Sequence, residues 1–418
     1  MHVSSLITAT ILATSMNDLL DWLLIACLLP LGWWVFALAW LAVTHRSIPH
    51  VRSGLSHDED ADGRGTVSII IPAHDESPGI AECVRSLLQQ QYDAIEVIVV
   101  LDRCTDDSRD LLRQFQDDRR LQVIEVDECP PDWAGKNNAA ATGTAAAGGE
   151  WLLFADADTR FSPELVGAAV GCATRDGSDL LSLVGGLTNR TMSERVFQPV
   201  ASLMLMSIYP IQRANRRAKQ RPFANGQFML FRRSCYEGIG GHAAVKDDLL
   251  EDLAFALKVK LAGYRPTVAM GSGLFEVSMY DSFSQMTSGW RRILIEACRR
   301  NTSRMRRYAV RLIFFSTVVP SIQLFTLVVA LVTGPATTTG TWAIIVVGMG
   351  LLAQWLCMLW IYRLCGSLIS SVIFYPIGAV MVAIELFKGA GDLQRRRPIC
   401  WGGREYVLEP RKERRRLV

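Results

Sequence analysis

The chain has 418 residues, half of them apolar, and its mean hydropathy is +0.20. This length exceeds that of one small module, and this composition excludes a disordered chain. The net charge is only +3, but residues 291–311 contain eight Arg and one Glu, and residues 388–418 contain ten Lys or Arg and four acids. Such clusters are typical of segments that flank a membrane, so we expect no nucleic-acid partner.

Four apolar stretches are long enough for a helix that crosses a bilayer, which needs about 20 residues. They are Leu19–Val43, Leu312–Val332, Trp342–Tyr362 and Leu364–Leu386. Arg46 and Arg52 follow the first stretch and no basic residue precedes it, which predicts an outside N-terminus and a cytoplasmic central region. The fourth stretch contains Pro376 and Gly378 and precedes a basic tail, so we expect it to be re-entrant or interfacial. The sequence therefore predicts an integral protein of the inner (plasma) membrane.

Between Thr66 and Pro266, short β-branched runs alternate with amphipathic segments, which is the pattern of a parallel α/β sheet. The predicted strands are Val67–Ile71, Glu96–Leu101, Leu121–Val126 and Trp151–Phe154, and the predicted helices are Ile80–Gln90, Thr105–Gln116 and Ala139–Ala147. The predicted organisation is a membrane anchor, a linker, an α/β domain, membrane segments and a basic tail, over residues 1–45, 46–65, 66–300, 301–390 and 391–418.

Polar residues follow three of these strands, at Pro72–Glu76, at Asp102 and at Asp156-Ala157-Asp158. In open α/β sheets, ligands bind beyond the carboxyl ends of the strands. The two carboxylates of Asp156 and Asp158 are hard oxygen ligands suited to Mg²⁺ or Mn²⁺. A loop cap is the alternative, because Asp often closes such turns.

Two further charged groups stand at predicted helix starts. Glu251 and Asp252 precede the helical run Leu253–Ala262, where one carboxylate has the chemistry to take a proton from a hydroxyl group. Alternatively, these acids only complement the helix dipole. Lys136 precedes an alanine-rich helix and is a candidate for binding a diphosphate.

Seven short motifs occur in a fixed order between residues 66 and 300. They are Ser68–Glu76, Val99–Asp102, Trp133–Lys136, Asp156–Asp158, Gly226–Arg233, Gly240–His242 and Glu251-Asp252. This set closely resembles the family 2 glycosyltransferases, which have the GT-A fold, a Rossmann-like fold of nucleotide-diphospho-sugar transferases. Met279-Tyr280, Gly289-Trp290 and Trp401–Arg404 are most similar to a membrane-anchored branch that includes hopanoid-associated and carotenoid-type lipid glycosyltransferases.

The resemblance implies roles for particular residues. It implies Asp252 as the general base with Glu251 beside it in the catalytic pair, Asp158 as the metal ligand, and a substrate-binding set of Glu76, Asp102, Lys136, Asp156 and Trp290. Asp102 would contact the nucleotide base, and Glu76 would line the nucleoside pocket. The implied reaction is an inverting transfer from a nucleotide-diphosphate sugar to a membrane-lipid acceptor, with Mg²⁺ or Mn²⁺.

Three positions depart from the family pattern. His74-Asp75 stands where an Asn usually precedes the Glu, and Leu101-Asp102 replaces a pair of acids. The Q-x-x-R-W motif of processive synthases is not intact, because Gln285 is one residue out of register with Gly289-Trp290. A processive polysaccharide synthase and a catalytically silent sugar-nucleotide-binding protein are the two alternative functions.

The segment Val196–Arg221 is a candidate for contact with the membrane that would contain a lipid acceptor. Its apolar first half runs into the basic residues Arg213, Arg216, Arg217, Lys219 and Arg221, which suits a helix lying on an anionic leaflet. The alternative is an ordinary core helix followed by a solvated charge run.

Overall fold

The computed structural model describes residues 2–55, 65–77, 79–216, 222–271, 273–280, 282–333, 337–401 and 404–410. Residues 56–64 of the predicted linker, most of the basic run over residues 213–221, and the tail from residue 411 onward lie outside the described residues.

The described residues form helices and strands whose bounds are as follows. The helices are α1 His2–His45, α2 Ile80–Leu88, α3 Ser108–Leu112, α4 Gly135–Ala146, α5 Leu165–Asp176, α6 Met192–Ile208, α7 Ile211–Ala214, α8 Arg233–Gly238, α9 Glu251–Leu261, α10 Phe283–Ala297, α11 Thr302–Ile313, α12 Val319–Thr333, α13 Thr338–Leu364 and α14 Tyr375–Arg395. The strands are β1 Val67–Ala73, β2 Ile95–Asp102, β3 Leu121–Val126, β4 Trp151–Ala155, β5 Thr159–Phe161, β6 Leu180–Val184, β7 Gly186–Leu187, β8 Phe228–Arg232, β9 Pro266–Met270, β10 Phe275–Val277, β11 Pro398–Trp401 and β12 Arg404–Val407.

These elements form two compact units. The helical unit comprises residues 1–47, 191–203 and 301–391, and the sheet unit comprises residues 48–190, 204–300 and 392–418. The tail from residue 392 therefore belongs to the sheet unit, although the preceding membrane segments do not.

The helical unit contains candidate membrane spans. Four of its helices are long and apolar enough to cross a membrane: Asp18–His45, Thr302–Val332, Thr338–Leu364 and Ile369–Arg395. Their apolar side chains also point outward, since Leu29 is 80% exposed and Val332 is 75% exposed. The four predicted apolar stretches thus coincide with helices. The break in the fourth is a 3₁₀ segment, Ile369–Phe374, rather than Pro376, which lies in the first turn of α14 where a missing N–H costs nothing.

The sheet unit is built on seven strands in the order β3-β2-β1-β4-β8-β6-β9. Strands β3, β2, β1 and β4 are parallel, as are β6 and β9, but β8 runs antiparallel to both β4 and β6. The prediction of a fully parallel sheet is therefore wrong, and the sheet is mixed. Strand β8 is buried along Phe228–Phe231, and a continuous apolar run carries no information about strand direction.

Three helix starts differ from their predicted positions. The helix expected from Thr105 begins only at Ser108, because the Asp75 carboxylate accepts the N–H of Thr105 and holds that segment as a loop. Helix α4 begins at Gly135 rather than Ala139, and α9 begins at Glu251 rather than Leu253. Lys136, Glu251 and Asp252 consequently lie in first helical turns, where exposed backbone N–H groups favour anions.

Two stretches predicted to lie outside the core are buried. Val51, in the predicted linker, is fully buried in the sheet unit, where Gly54 lies against α5. Along α6, Val196, Phe197 and Met204 are also buried, which favours the core-helix interpretation over a helix resting on a leaflet.

Candidate active site

A cavity of about 670 Å³ lies at the carboxyl ends of β1, β2 and β4. Strands and helices of the sheet unit bring five of the predicted site residues to its wall: Glu76, Asp102, Lys136, Asp156 and Asp158. Glu251 and Asp252 are not among the lining residues, but Glu251 forms an ion pair with Lys136, which does line the cavity. The parallel half of the sheet explains this convergence, since the ends of its strands meet at one edge.

Lys136 links the two acidic motifs. Its Nζ lies 2.7 Å from Oδ1 of Asp156 and 2.8 Å from Oε1 of Glu251. Burial alone would lower the pKa of this ammonium, but the two carboxylates raise it overall. Burial alone would likewise raise the pKa of Glu251, which is 3% exposed, and the Lys136 charge lowers it overall. The pair is therefore ionised on both sides.

Asp252 has a different environment from its neighbour. Its Oδ2 accepts the N–H of Gly226 at 2.9 Å, and its Oδ1 accepts the N–H of Leu253 at 2.7 Å. Burial, followed by the negative charge of Glu251, raises the pKa of Asp252 to about 7. A carboxylate that titrates near neutral pH has the proton affinity of a general base.

Asp158 carries an unsatisfied oxygen. Its Oδ1 is buried and has no hydrogen-bond partner among the described residues. Burial, and then the charges of Asp156 and Glu76, raise the pKa of Asp158 well above its usual value. A buried carboxylate oxygen without a partner and beside two further acids is the donor set that a divalent cation satisfies. The residues present therefore fit Mg²⁺ or Mn²⁺.

A second acidic cluster, Asp75, Cys104 and Asp106, has ligand atoms within 4.8 Å of one another. Its carboxylates already accept backbone N–H groups of the loop, from Thr105 to Asp75 and from Ser77 to Asp106. These bonds hold together the loops that follow β1 and β2. We therefore interpret the cluster as loop structure and keep the metal prediction at Asp158.

Asp102 lines the cavity with a partner that the sequence analysis missed. Both of its carboxylate oxygens accept hydrogen bonds from the Arg103 guanidinium, at 3.0 and 2.7 Å. Arg103 has a φ of +51°, which is unusual for a residue with a side chain. A nucleotide base at this end of the cavity would therefore meet a carboxylate that is already paired with an Arg.

Helix α10 presents one face to the cavity and the other to the core. Gln285, Ser288, Gly289 and Arg292 line the cavity, at the spacing of one helical face. Trp290 is 3% exposed and does not line the cavity. Contact of its indole with a substrate stays a prediction. The helical spacing from Gln285 to Arg292 was a sequence signal for this face.

Gly226 begins the motif Gly226–Arg233, but the sequence analysis assigned no role to this glycine. A Cβ atom at this position would lie 3.2 Å from Oε1 of Glu251, 3.3 Å from Nζ of Lys136 and 3.5 Å from Oδ2 of Asp252. The glycine thus leaves room for three charged groups to meet.

The variant Gly226→Ala is expected to lower kcat about 10-fold while the dissociation constant for nucleotide changes less than about 3-fold. The added methyl group must displace Glu251 or Lys136 by a few tenths of an ångström, and small displacements of catalytic groups are costly. Gly167→Ala is the matched control, because its Cβ would meet only a ring carbon of Tyr92 at 3.8 Å. Equal kcat values for the wild type and Gly226→Ala would contradict the assignment of Glu251, Lys136 and Asp252 to the catalytic site.

The chain is similar to a known protein family and to known proteins. The sequence model of Glycosyl transferase family 2 matches residues 68–240. The 4,4'-diaponeurosporenoate glycosyltransferase of Staphylococcus aureus (strain MRSA252) is 26% identical over 227 residues, which are 54% of this chain and 59% of the relative. The protein of the same name from the strain bovine RF122 / ET3-1 is 25% identical over 228 residues, which are 54% of this chain and 60% of that relative. The chain thus covers about three fifths of these relatives.

Two solved structures are also similar. The mannosyltransferase PcManGT from Pyrobaculum calidifontis, in complex with GDP-Man and Mn²⁺, is 18% identical with a TM-score of 0.47, covering 91% of this chain and 98% of that one. Residues 1–349 of S. aureus TarS, in complex with UDP-GlcNAc, are 14% identical with a TM-score of 0.39. This match covers 82% of this chain and 96% of that one.

The family match covers the strands β1, β2 and β4 that end at the cavity, and it extends through β8. With the mixed α/β sheet, it confirms the predicted α/β domain of the GT-A class. Residues 68–240 of this domain therefore match glycosyl transferase family 2.

Proposed function

We propose that the chain is an integral-membrane, metal-dependent glycosyltransferase that moves one sugar from a nucleotide-diphosphate sugar to a lipid acceptor, with inversion. The observation that carries this proposal is the position of Lys136. Its ammonium binds Asp156 at the end of β4 and Glu251 at the start of α9. One charge thus joins the two acidic motifs that contain the metal candidate Asp158 and the base candidate Asp252.

The donor would bind along the cavity wall. Asp158 would hold the cation, with Asp156 beside it, and Glu76 and Asp102 would lie toward the nucleoside. A bound Mg²⁺ or Mn²⁺ supplies positive charge that stabilises a departing diphosphate. Lys136 and Arg292 contribute the cationic side chains of the wall, and they offset part of its excess of carboxylates.

The transfer step would use Asp252 as the base. Its carboxylate takes the proton of the acceptor hydroxyl while that oxygen forms a bond to the anomeric carbon. The bond between the anomeric carbon and the diphosphate oxygen breaks, and the electron pair leaves with the nucleoside diphosphate. Glu251 keeps Asp252 basic through its negative charge, and Lys136 neutralises Glu251.

Two observations support a lipid acceptor. Four helices have the length and composition to cross a membrane, and the relatives in S. aureus are named as glycosyltransferases of a carotenoid acid. An enzyme held at a bilayer meets a membrane-dissolved acceptor without extracting it from the lipid. The basic residues after the first apolar stretch favour a cytoplasmic position for the catalytic domain.

The proposal is tested with detergent-purified protein, Mn²⁺, a membrane lipid extract and a panel of radiolabelled UDP- and GDP-sugars. We expect one donor to label an organic-extractable lipid that carries a single sugar, and NMR of the product to give the inverted anomer. A long polymer would support a processive synthase instead. Binding of nucleotide without transfer to any lipid fraction would support the catalytically silent alternative.

A further inference from the structure

The tail after the membrane segments contributes to the cavity wall. Strands β11 and β12 pair antiparallel, with Ile399 opposite Tyr406. Directly opposed residues have side chains on the same face of a two-stranded sheet. Both Ile399 and Tyr406 line the cavity, so this face of the hairpin closes one side of it.

Tyr406 lies at the end of the cavity where Asp102 is found. Both residues line the cavity, and Tyr406 contributes, after Asp102 and Cys129, to the raised pKa of the Arg103 guanidinium. Asp102, which is paired with Arg103, gives the wall a carboxylate here, and Tyr406 adds an aromatic ring to the wall. A flat aromatic base fits between such groups, since a ring offers a stacking surface and the ion pair offers donors and acceptors.

The hairpin is attached to the sheet unit before it reaches the cavity. Nη1 of Arg291, on α10, donates to Oδ2 of Asp392 at 3.1 Å, and Arg397 lies 3.6 Å from the same carboxylate. Beyond the hairpin, Leu408 is 4% exposed. These contacts hold the tail at both ends of the hairpin, and Arg291 lies next to Arg292, which lines the cavity.

We propose that Tyr406 is a donor-binding residue that stacks on the nucleotide base, so that the C-terminal hairpin completes the nucleotide site. The inference rests on the proposed function, because it requires a nucleotide-diphosphate donor in this cavity. It assigns a role in donor binding to a segment that follows the last apolar helix and lies outside the residues matched by the family.

The test uses the full chain in detergent and calorimetric titration with UDP, GDP and inorganic pyrophosphate, each with Mn²⁺. We expect Tyr406→Ala to raise the dissociation constant of the preferred nucleotide about 10- to 100-fold, the usual effect of losing a base-stacking ring. Tyr406→Phe keeps the ring and is expected to stay within about 3-fold of the wild type. Binding of pyrophosphate is expected to be unchanged, because it has no base.

Val407→Ala is the matched control, since Val407 is the next residue along β12 and is 57% exposed. Nucleotide affinity of Tyr406→Ala equal to that of the wild type would overturn the inference. An equal loss of affinity for nucleotide and pyrophosphate would also overturn it, because the defect would then not concern the base. A wild-type chain that binds neither nucleotide would instead refute the proposed function.

Discussion

Asp252→Asn is expected to lower kcat/KM at least about 1000-fold, because the variant has no carboxylate to accept the proton of the acceptor hydroxyl. The side chain would keep its size, and its one remaining acceptor oxygen can keep one of the two backbone hydrogen bonds. Binding of the nucleotide, which meets other residues, is expected to remain within about 3-fold of the wild type. Transfer to a lipid acceptor and nucleotide titration measure the two effects separately.

The wild-type enzyme is expected to lose activity as the pH falls through about 7. Burial and the charge of Glu251 raise the pKa of Asp252 to about 7, and only the deprotonated form acts as a base. Below that pH, log kcat/KM is expected to fall by about one for each pH unit. A profile that is flat from pH 5.5 to 8 would remove Asp252 from this role.

Asp247→Asn serves as the control for both measurements. Asp247 is an exposed acid five residues before Asp252, so Asp247→Asn makes the same change of charge at a solvent-exposed position. Its activity and pH profile are expected to match those of the wild type. More than about a tenth of wild-type activity in Asp252→Asn would contradict the mechanism.

Asp158→Asn is expected to abolish the response of the protein to metal and to lower transfer at least about 100-fold. In the wild type, Mn²⁺ should raise the thermal transition by about 5 °C or more, because a cation that binds only the folded state stabilises it by mass action. Asn lacks the negative charge that a hard cation requires, so this rise should disappear.

When metal is removed, the wild type should no longer have a higher melting temperature than Asp158→Asn. With EDTA, Asp158→Asn is expected to melt at or above the temperature of the wild type, because the change removes repulsion from Asp156 and Glu76. Asp117→Asn, on an exposed loop before β3, should behave as the wild type in both conditions. A wild type whose melting temperature does not respond to Mn²⁺ or Mg²⁺ would contradict the assignment of Asp158.

The sequence predicted the positions of the site more accurately than the direction of the strands. Strand β3 has the predicted bounds, and the acids at Asp102, Asp156 and Asp158 follow strands as expected. The pattern of apolar residues that reveals a buried strand does not reveal its direction, so the antiparallel β8 was missed.

Contacts between distant parts of the chain account for what the sequence did not predict. The bond of Lys136 to Glu251 joins residues that are 115 positions apart, and the space at Gly226 depends on three side chains from other segments. Tyr406 follows a membrane segment and has no spacing that relates it to the cavity. Such residues are recognised only when the fold brings them together.

Because the tail belongs to the sheet unit, the number of membrane crossings in the helices before it is restricted. The sheet unit includes residue 300 and resumes at residue 392, so a bilayer must be crossed an even number of times between them. Three candidate spans lie in that interval, Thr302–Val332, Thr338–Leu364 and Ile369–Arg395. Three full crossings would leave β11 and β12 on the far side from the cavity that they line. We therefore expect the last of these candidate spans, which contains the 3₁₀ segment Ile369–Phe374 and the buried Glu385, not to cross the bilayer completely.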